Sequence, residues 1–183
     1  MHETPDELAR LQAVLDDSYA HAGAHLQRVH TPDRRLDAAQ VVERLAGMCL
    51  LTLATTTADG RPLAGPVDGF FYRGRFWFGS SPDSVRFTHL RSRPSVSACF
   101  LPGEHLCVTV HGEAHEVPAD DPEVPGYRDY VLGHYGPDWW DNWEWGVTAS
   151  YARITPRRMF TFHMDPEEAG AAGGESGADG SAG

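Results

Sequence analysis

Apolar positions change their period along the chain, and the changes mark out its elements. In the first segment Leu8, Leu11, Leu15, Ala22, Leu26 and Val29 recur at helical spacing, which predicts one amphipathic helix with a single apolar stripe. The polar run Thr31-Pro32-Asp33-Arg34-Arg35 ends it. Asp37, with Gln40 three residues on, reads as a capping box opening a short helix through Val41, Val42 and Leu45. From Met48 the texture becomes that of strands. "MCLLTLATT" predicts a first strand, Asp59-Gly60 a hairpin turn, "PLAGPVDGFFY" a second strand and Arg73-Gly74 another turn. "RFWFGS" predicts a third strand, "PDSVRFTHLRSR" a helix, and "SVSACFL" and "HLCVTVHGEAHEV" the fourth and fifth strands. Beyond them "DDPEVPGYRDYVLGHYG" reads as a helix, "PDWWDNWEWG" as an aromatic loop, and "TASYARITP" and "RRMFTFHM" as two last strands.

Strands joined by such tight turns, with one helix interposed, leave no room for the crossovers of a parallel sheet. The expected fold class is mainly β with flanking helices (α+β), an antiparallel barrel closed or partly open. A helical segment over 1–36 packs on a barrel domain over 37–165. Residues 166–183, rich in Gly, Ala and Glu, hold nothing that builds a core and read as a disordered tail.

Composition then removes functions. A formal net charge of -11 argues against nucleic acid as a partner. No apolar run approaches the roughly 20 residues of a membrane span, and the acidic, polar N-terminus is unlike a signal peptide, so a cytoplasmic protein is expected. All 15 Lys+Arg residues are arginine, which excludes a lysine Schiff base and with it covalent pyridoxal phosphate. Cys49, Cys99 and Cys107 are odd in number, form no C-x-x-C pair and lie in apolar stretches, as buried free thiols of a reducing compartment do.

The corner "GSSPDSVRF" concentrates small hydrogen-bonding residues where the third strand ends. Ser81 reads as an N-cap, Pro82 as the first helical residue, and Asp83 suits the positive helix end. That alone describes a capped helix. Ser80 and Ser84 add hydroxyls beyond capping, and Arg86 lies where it reaches back to an anion on the free amides, so a phosphate site stands beside the plain cap.

Other groupings are weaker. His21 and His25 lie one helical turn apart without an evident third ligand. His111, Glu113 and His115 leave one strand face but span about 13 Å, too far to converge on one ion, so no metal is expected. Trp139, Trp140, Trp143 and Trp145 suit stacking on a flat ring, but equally the covering of a barrel end or a subunit interface. No serine sits in G-x-S-x-G and no cysteine has an identifiable histidine partner, so no catalytic residue is assigned and hard chemistry falls to a cofactor.

The ordered set "LLTLATTTADGRPLAGPVDGFFYRGRFWFGSSPDSVRFTHLRSRPSVSACF", with "YARITPRRMFTF" as a closing strand, resembles the FMN-binding split-barrel superfamily of proteins similar to pyridoxamine 5'-phosphate oxidase. The resemblance implies a split β-barrel and a flavin-dependent oxidoreductase transferring hydride to or from a small molecule. It implies a homodimer with two FMN sites at the interface. It maps the cofactor's phosphate to Ser80, Ser81, Ser84 and Arg86, and the isoalloxazine edge to Pro66, Val67 and Asp68. The oxidase proper carries an arginine and a lysine on the second strand and an Arg-Lys pair after the serine. Here Gly65, Phe70, Val85 and Arg86 stand at those positions, and the oxidase's substrate-phosphate residues near the C-terminus have no match, so vitamin B6 oxidation is not expected. Related groups hold the deazaflavin F420, for whose anionic tail Arg61, Arg86 and Arg91 are candidates, or haem, as carriers or sensors.

Overall fold

The computed structural model describes residues 2–142 and 148–165. Trp143, Trp145, the side chain of Trp140 and the tail from Pro166 lie outside the described residues. Two helices, α1 (Pro5–Ala20) and α2 (Ala24–Val29), precede a 3-10 turn at Pro32–Arg34 and a helix α3 (Ala38–Arg44). The expected single N-terminal helix breaks at Gly23, which begins α2 from extended backbone. Both α1 and α3 start in capping boxes, Thr4 with Glu7 and Asp37 with Gln40.

Strands β1 (Met48–Thr56), β2 (Pro62–Tyr72), β3 (Arg75–Ser80), β4 (Ser95–Gly103), β5 (Leu106–Glu116) and β6 (Ser150–His163) close an antiparallel barrel in the order β1-β2-β3-β6-β5-β4. Helix α4 (Val85–Ser92) lies between β3 and β4, and α5 (Val124–Tyr135) with a 3-10 helix Pro137–Asn142 between β5 and β6. The fold is therefore the expected split-barrel class with flanking helices. Its last strand departs from expectation: what the sequence divides in two is one strand of 14 residues. Gly112 pairs with Pro156 and His111 with Arg158, so Arg157 is an extra residue and the strand bulges at the proline instead of ending there.

Alternation on β1 turns Cys49, Leu51, Leu53 and Thr55 inward against Phe76, Phe78, Val108, Val110 and Ile154. Leu11 and Leu15 of α1 extend this core. Polar side chains of the same helix satisfy the edge of β6: Ser18 Oγ accepts from Met159 N–H at 2.9 Å and Tyr19 Oη from Thr161 N–H at 2.8 Å. A second, aromatic cluster forms outside the barrel, where α5 covers β2, β3 and β6. There Trp77 stacks on Tyr127 with ring centroids 4.4 Å apart, beside Phe70, Tyr72 and Tyr151.

Candidate functional site

Strand β2 is paired on one side along most of its length but on the other only near its end, and that opens the barrel wall. Residues 62–70 pair with β1, but only Gly69 to Tyr72 pair with β3, so 62–68 have no described strand on that side. Strand β3 meanwhile stays with β6 as far as Ser80, opposite Ser150. The wall parts between β2 and the end of β3, and α4 begins in the gap. The result is a cleft of about 320 Å³ lined by Thr55, Leu63, Gly65, Ser80, Ser84 and Arg86 among others.

The corner folds differently from the reading above. Ser84, three residues after the expected Ser81, is the N-cap of α4: its Oγ accepts from Phe87 N–H at 3.4 Å. Ser81 to Ser84 form a turn closed by Ser84 N–H donating to the Ser81 carbonyl at 3.0 Å. Proline suits the second position of such a turn as well as the first of a helix, and the chain uses it in the turn. Ser81 is exposed there and does not line the cleft.

Arg86 crosses the gap. Its Nη2 donates to the Pro66 carbonyl at 2.9 Å, tying α4 to β2. At Gly65 a Cβ would come 3.9 Å from the same nitrogen, an ordinary van der Waals contact. Arg61, Arg73, Arg75, Arg91, Arg153 and Arg157 each pair with a carboxylate. Among the described residues Arg86 pairs with none, and burial draws its pKa below the usual guanidinium value. A half-buried cation without a counter-charge, set beside Ser80, Ser84 and the first amides of α4, is a donor set that can take an anion. His89, in the next turn of α4, meets Thr55 Oγ1 at 2.9 Å through Nδ1 and fastens the helix behind the cleft.

The residues mapped to the ring edge divide. Val67 is buried in the core, so its backbone alone faces outward. Asp68 turns to a second hollow of about 90 Å³ between the outer sheet face and α5, with Phe70, Tyr127, Tyr135, Trp139 and Tyr151. Ser80 lines both hollows, so they adjoin. Tyr135 stacks on Trp139 with centroids 4.8 Å apart at 16°. Burial, then the charge of Asp68, raises the Tyr135 phenol, and burial pushes Tyr151 up to about 12. Both are neutral hydroxyls at ordinary pH. This aromatic wall was not read from the sequence, although Tyr127, Val131 and Tyr135 recur at four-residue steps that put them on one helix face.

The histidine groupings do not converge on one point. His21 follows α1, with Nδ1 2.9 Å from the Asp17 carbonyl, and His25 belongs to α2 beyond the break. His111 meets Ser97 at 2.7 Å, and Glu113 pairs with Arg157 and His115. Among the described residues no three His, Cys, Asp or Glu side chains gather to hold a metal ion. No described helix is long and apolar enough to cross a membrane.

With the geometry in place, comparison with known proteins gives the following. Residues 38–165 match the model of the pyridoxamine 5'-phosphate oxidase family. Among curated proteins no match is found. Similar solved structures include the conserved hypothetical protein Rv2991 of Mycobacterium tuberculosis, 23% identical over 72% of this chain and 88% of that one, with a TM-score of 0.61. The haem storage protein HutZ of Vibrio cholerae is 17% identical over 71% of this chain and 94% of its own, TM-score 0.57. A FAD-binding protein of Mesorhizobium loti is 22% identical over 72% and 98%, TM-score 0.53. At these identities the likeness is one of fold.

Proposed function

The chain belongs to the pyridoxamine 5'-phosphate oxidase family, and from that premise we propose that it is an FMN-dependent oxidoreductase acting on a small organic molecule. The observation that carries the reading is Arg86, a cation without a carboxylate, beside Ser80 and Ser84 at the parted barrel wall. The donor set fits a phosphate monoester: Arg86, the two hydroxyls and the first amides of α4 would hold it, and the outward backbone of Pro66, Val67 and Asp68 would run along the ring. FMN supplies reversible hydride acceptance when bound. The chain's own part is to anchor, orient and dry the site. Ser84 holds the amides of α4 in place as its cap, and the Pro66 carbonyl holds Arg86 toward the gap until an anion competes for it. Leu63 and Val85, 48% and 58% exposed at the cleft, are the surface a second copy would cover to complete the site, as a homodimer.

F420 is the less favoured deazaflavin alternative, because two of the arginines that would meet its anionic tail are already neutralised, Arg61 by Asp59 and Arg91 by Glu116. Haem is a second reading, supported by the fold shared with a haem storage protein, but the cleft's donors are hydroxyls, amides and a guanidinium, which suit phosphate better than iron. The position that carries a cation in the oxidase proper is here Phe70, buried against Tyr127, Tyr130 and Tyr135, and this speaks against pyridoxamine phosphate as substrate. Titration of the purified protein with FMN, F420 and haemin, followed by absorbance, tests the reading. Preferential binding of FMN supports it; preference for F420 or haemin, or binding of none of the three, overturns it.

A further inference from the structure

Away from the cleft, the outer sheet face brings two thiols together. Ala98 and Val108 point into the core, so their neighbours Cys99 on β4 and Cys107 on β5 point outward, and both are half-buried. Cys99 lies opposite Thr109 in the strand register, which puts Cys107 on the diagonal, where side chains of adjacent strands still reach one another. The two Sγ atoms are 3.7 Å apart, in contact and unbonded. Thr109 Oγ1 sits beside both, donating to Cys99 at 3.7 Å and lying 3.5 Å from Cys107. The strand pairing is irregular next to this point, between Phe100 and Gly103.

We propose that Cys99 and Cys107 are a dithiol that a hydroperoxide oxidises to an intrachain disulfide, with Cys99 as the attacking sulfur and Cys107 as the resolving one. Cys99 is the sulfur to which the Thr109 hydroxyl donates, and the bond it shares with Cys107, together with that hydroxyl, draws it down to about 6, while the shared bond and burial hold Cys107 in its protonated form. In the first step the Cys99 thiolate attacks one peroxide oxygen. The S–O bond forms, the O–O bond breaks, and the departing hydroxide (or alkoxide) takes a proton and leaves as water or an alcohol. In the second step the Cys107 sulfur gives up its proton and attacks Cys99. The S–S bond forms, the S–O bond breaks, and the hydroxide leaves with that proton as water. Both cysteines are oxidised by one electron each and the peroxide is reduced by two. Closure requires the sulfurs to approach by about 1.7 Å and the two strands to draw together locally, because diagonal neighbours stand at the outer limit of a disulfide's span.

Cys49 is the internal control, because it is buried and its thiol is pushed up to about 12. The test treats the reduced, full-length protein with equimolar hydrogen peroxide, counts thiols after denaturation and maps disulfides by non-reducing digestion and mass spectrometry. The expected result is a fall from three free cysteines to one, with Cys99 joined to Cys107 of the same chain. Cys107→Ser should stop at a sulfenic acid on Cys99 that a 1,3-diketone traps, and Cys99→Ser should slow peroxide consumption about tenfold or more. Three surviving thiols, a bridge to Cys49 or between chains, or an undiminished rate in Cys99→Ser overturns the proposal. The wild-type disulfide map decides it even where a variant fails to fold.

Discussion

Arg73 and Arg86 differ in what faces them, and the difference sorts structural from functional charge. Arg73, at the turn between β2 and β3, meets Glu7 at 2.6 Å, and the Glu7 side chain is only 7% exposed. Burial by itself pushes the Glu7 carboxyl up. The Thr4 N–H, the Arg73 guanidinium and the Thr4 hydroxyl outweigh it and hold the carboxyl below its ordinary 4.5. A carboxyl depressed in the folded state contributes stability that is present above its unfolded value and lost as pH falls through the folded one. Arg73→Ala should therefore cost about 2 kcal/mol at neutral pH, and move the acid-induced loss to higher pH, both read from urea unfolding at several pH values. Arg86→Ala removes one hydrogen bond to a carbonyl and should change stability by about 0.5 kcal/mol or less. Ser84 has both roles, and two variants separate them. Ser84→Ala should lose about 1 kcal/mol of stability with the cap, whereas Ser84→Asp keeps the cap, holds stability and repels the phosphate, so FMN titration alone should report it.

At the scale of elements, the bulge on β6 shows how close contacts dictate sequence. A Cβ on Gly112 would collide with the Thr155 carbonyl, a backbone atom that cannot rotate away. Gly112→Ala should destabilise by about 2 kcal/mol or more, visible as a lowered Tm. The same bulge explains why β6 was legible only in halves. Thr155-Pro156-Arg157 carries the marks of a strand end, and nothing local says that β5 supplies a glycine to accommodate it. Strands β1, β4 and β5 were legible because they alternate between a core and an outer face, and β2 and β3 because their apolar ends are aromatic-rich and meet at the Arg73-Gly74 turn. The N-terminal stripe misled beyond Ala20. Leu11 and Leu15 of α1 are buried, but α2 buries none of its residues, so the apolar spacing there continued without a surface to pack on. At α4 the serines were legible as cap material, but their spacing allowed two starts, and the turn through Pro82 selected the later one.

For the whole molecule, the cleft is a consequence of topology. It exists because β2 pairs with β3 only over its last four residues while α4 enters beside the unpaired stretch, so residues distant in sequence converge there: Thr55, Gly65, Ser80 and Arg86. The serines and Arg86 were legible because they sit in one short segment. The Arg86 bond to Pro66 and the aromatic wall from α5 were not, since each depends on where a separate element packs. The central claim is that this convergence holds a phosphate, and comparing FMN with riboflavin tests it most directly, because the two differ only in that group. Two charge-assisted hydrogen bonds of about 1.5 kcal/mol each predict that the protein binds FMN about 100-fold more tightly than riboflavin. Arg86→Ala should then reduce that ratio about tenfold. Equal affinity for FMN and riboflavin, or a ratio that Arg86→Ala leaves unchanged, would contradict the account.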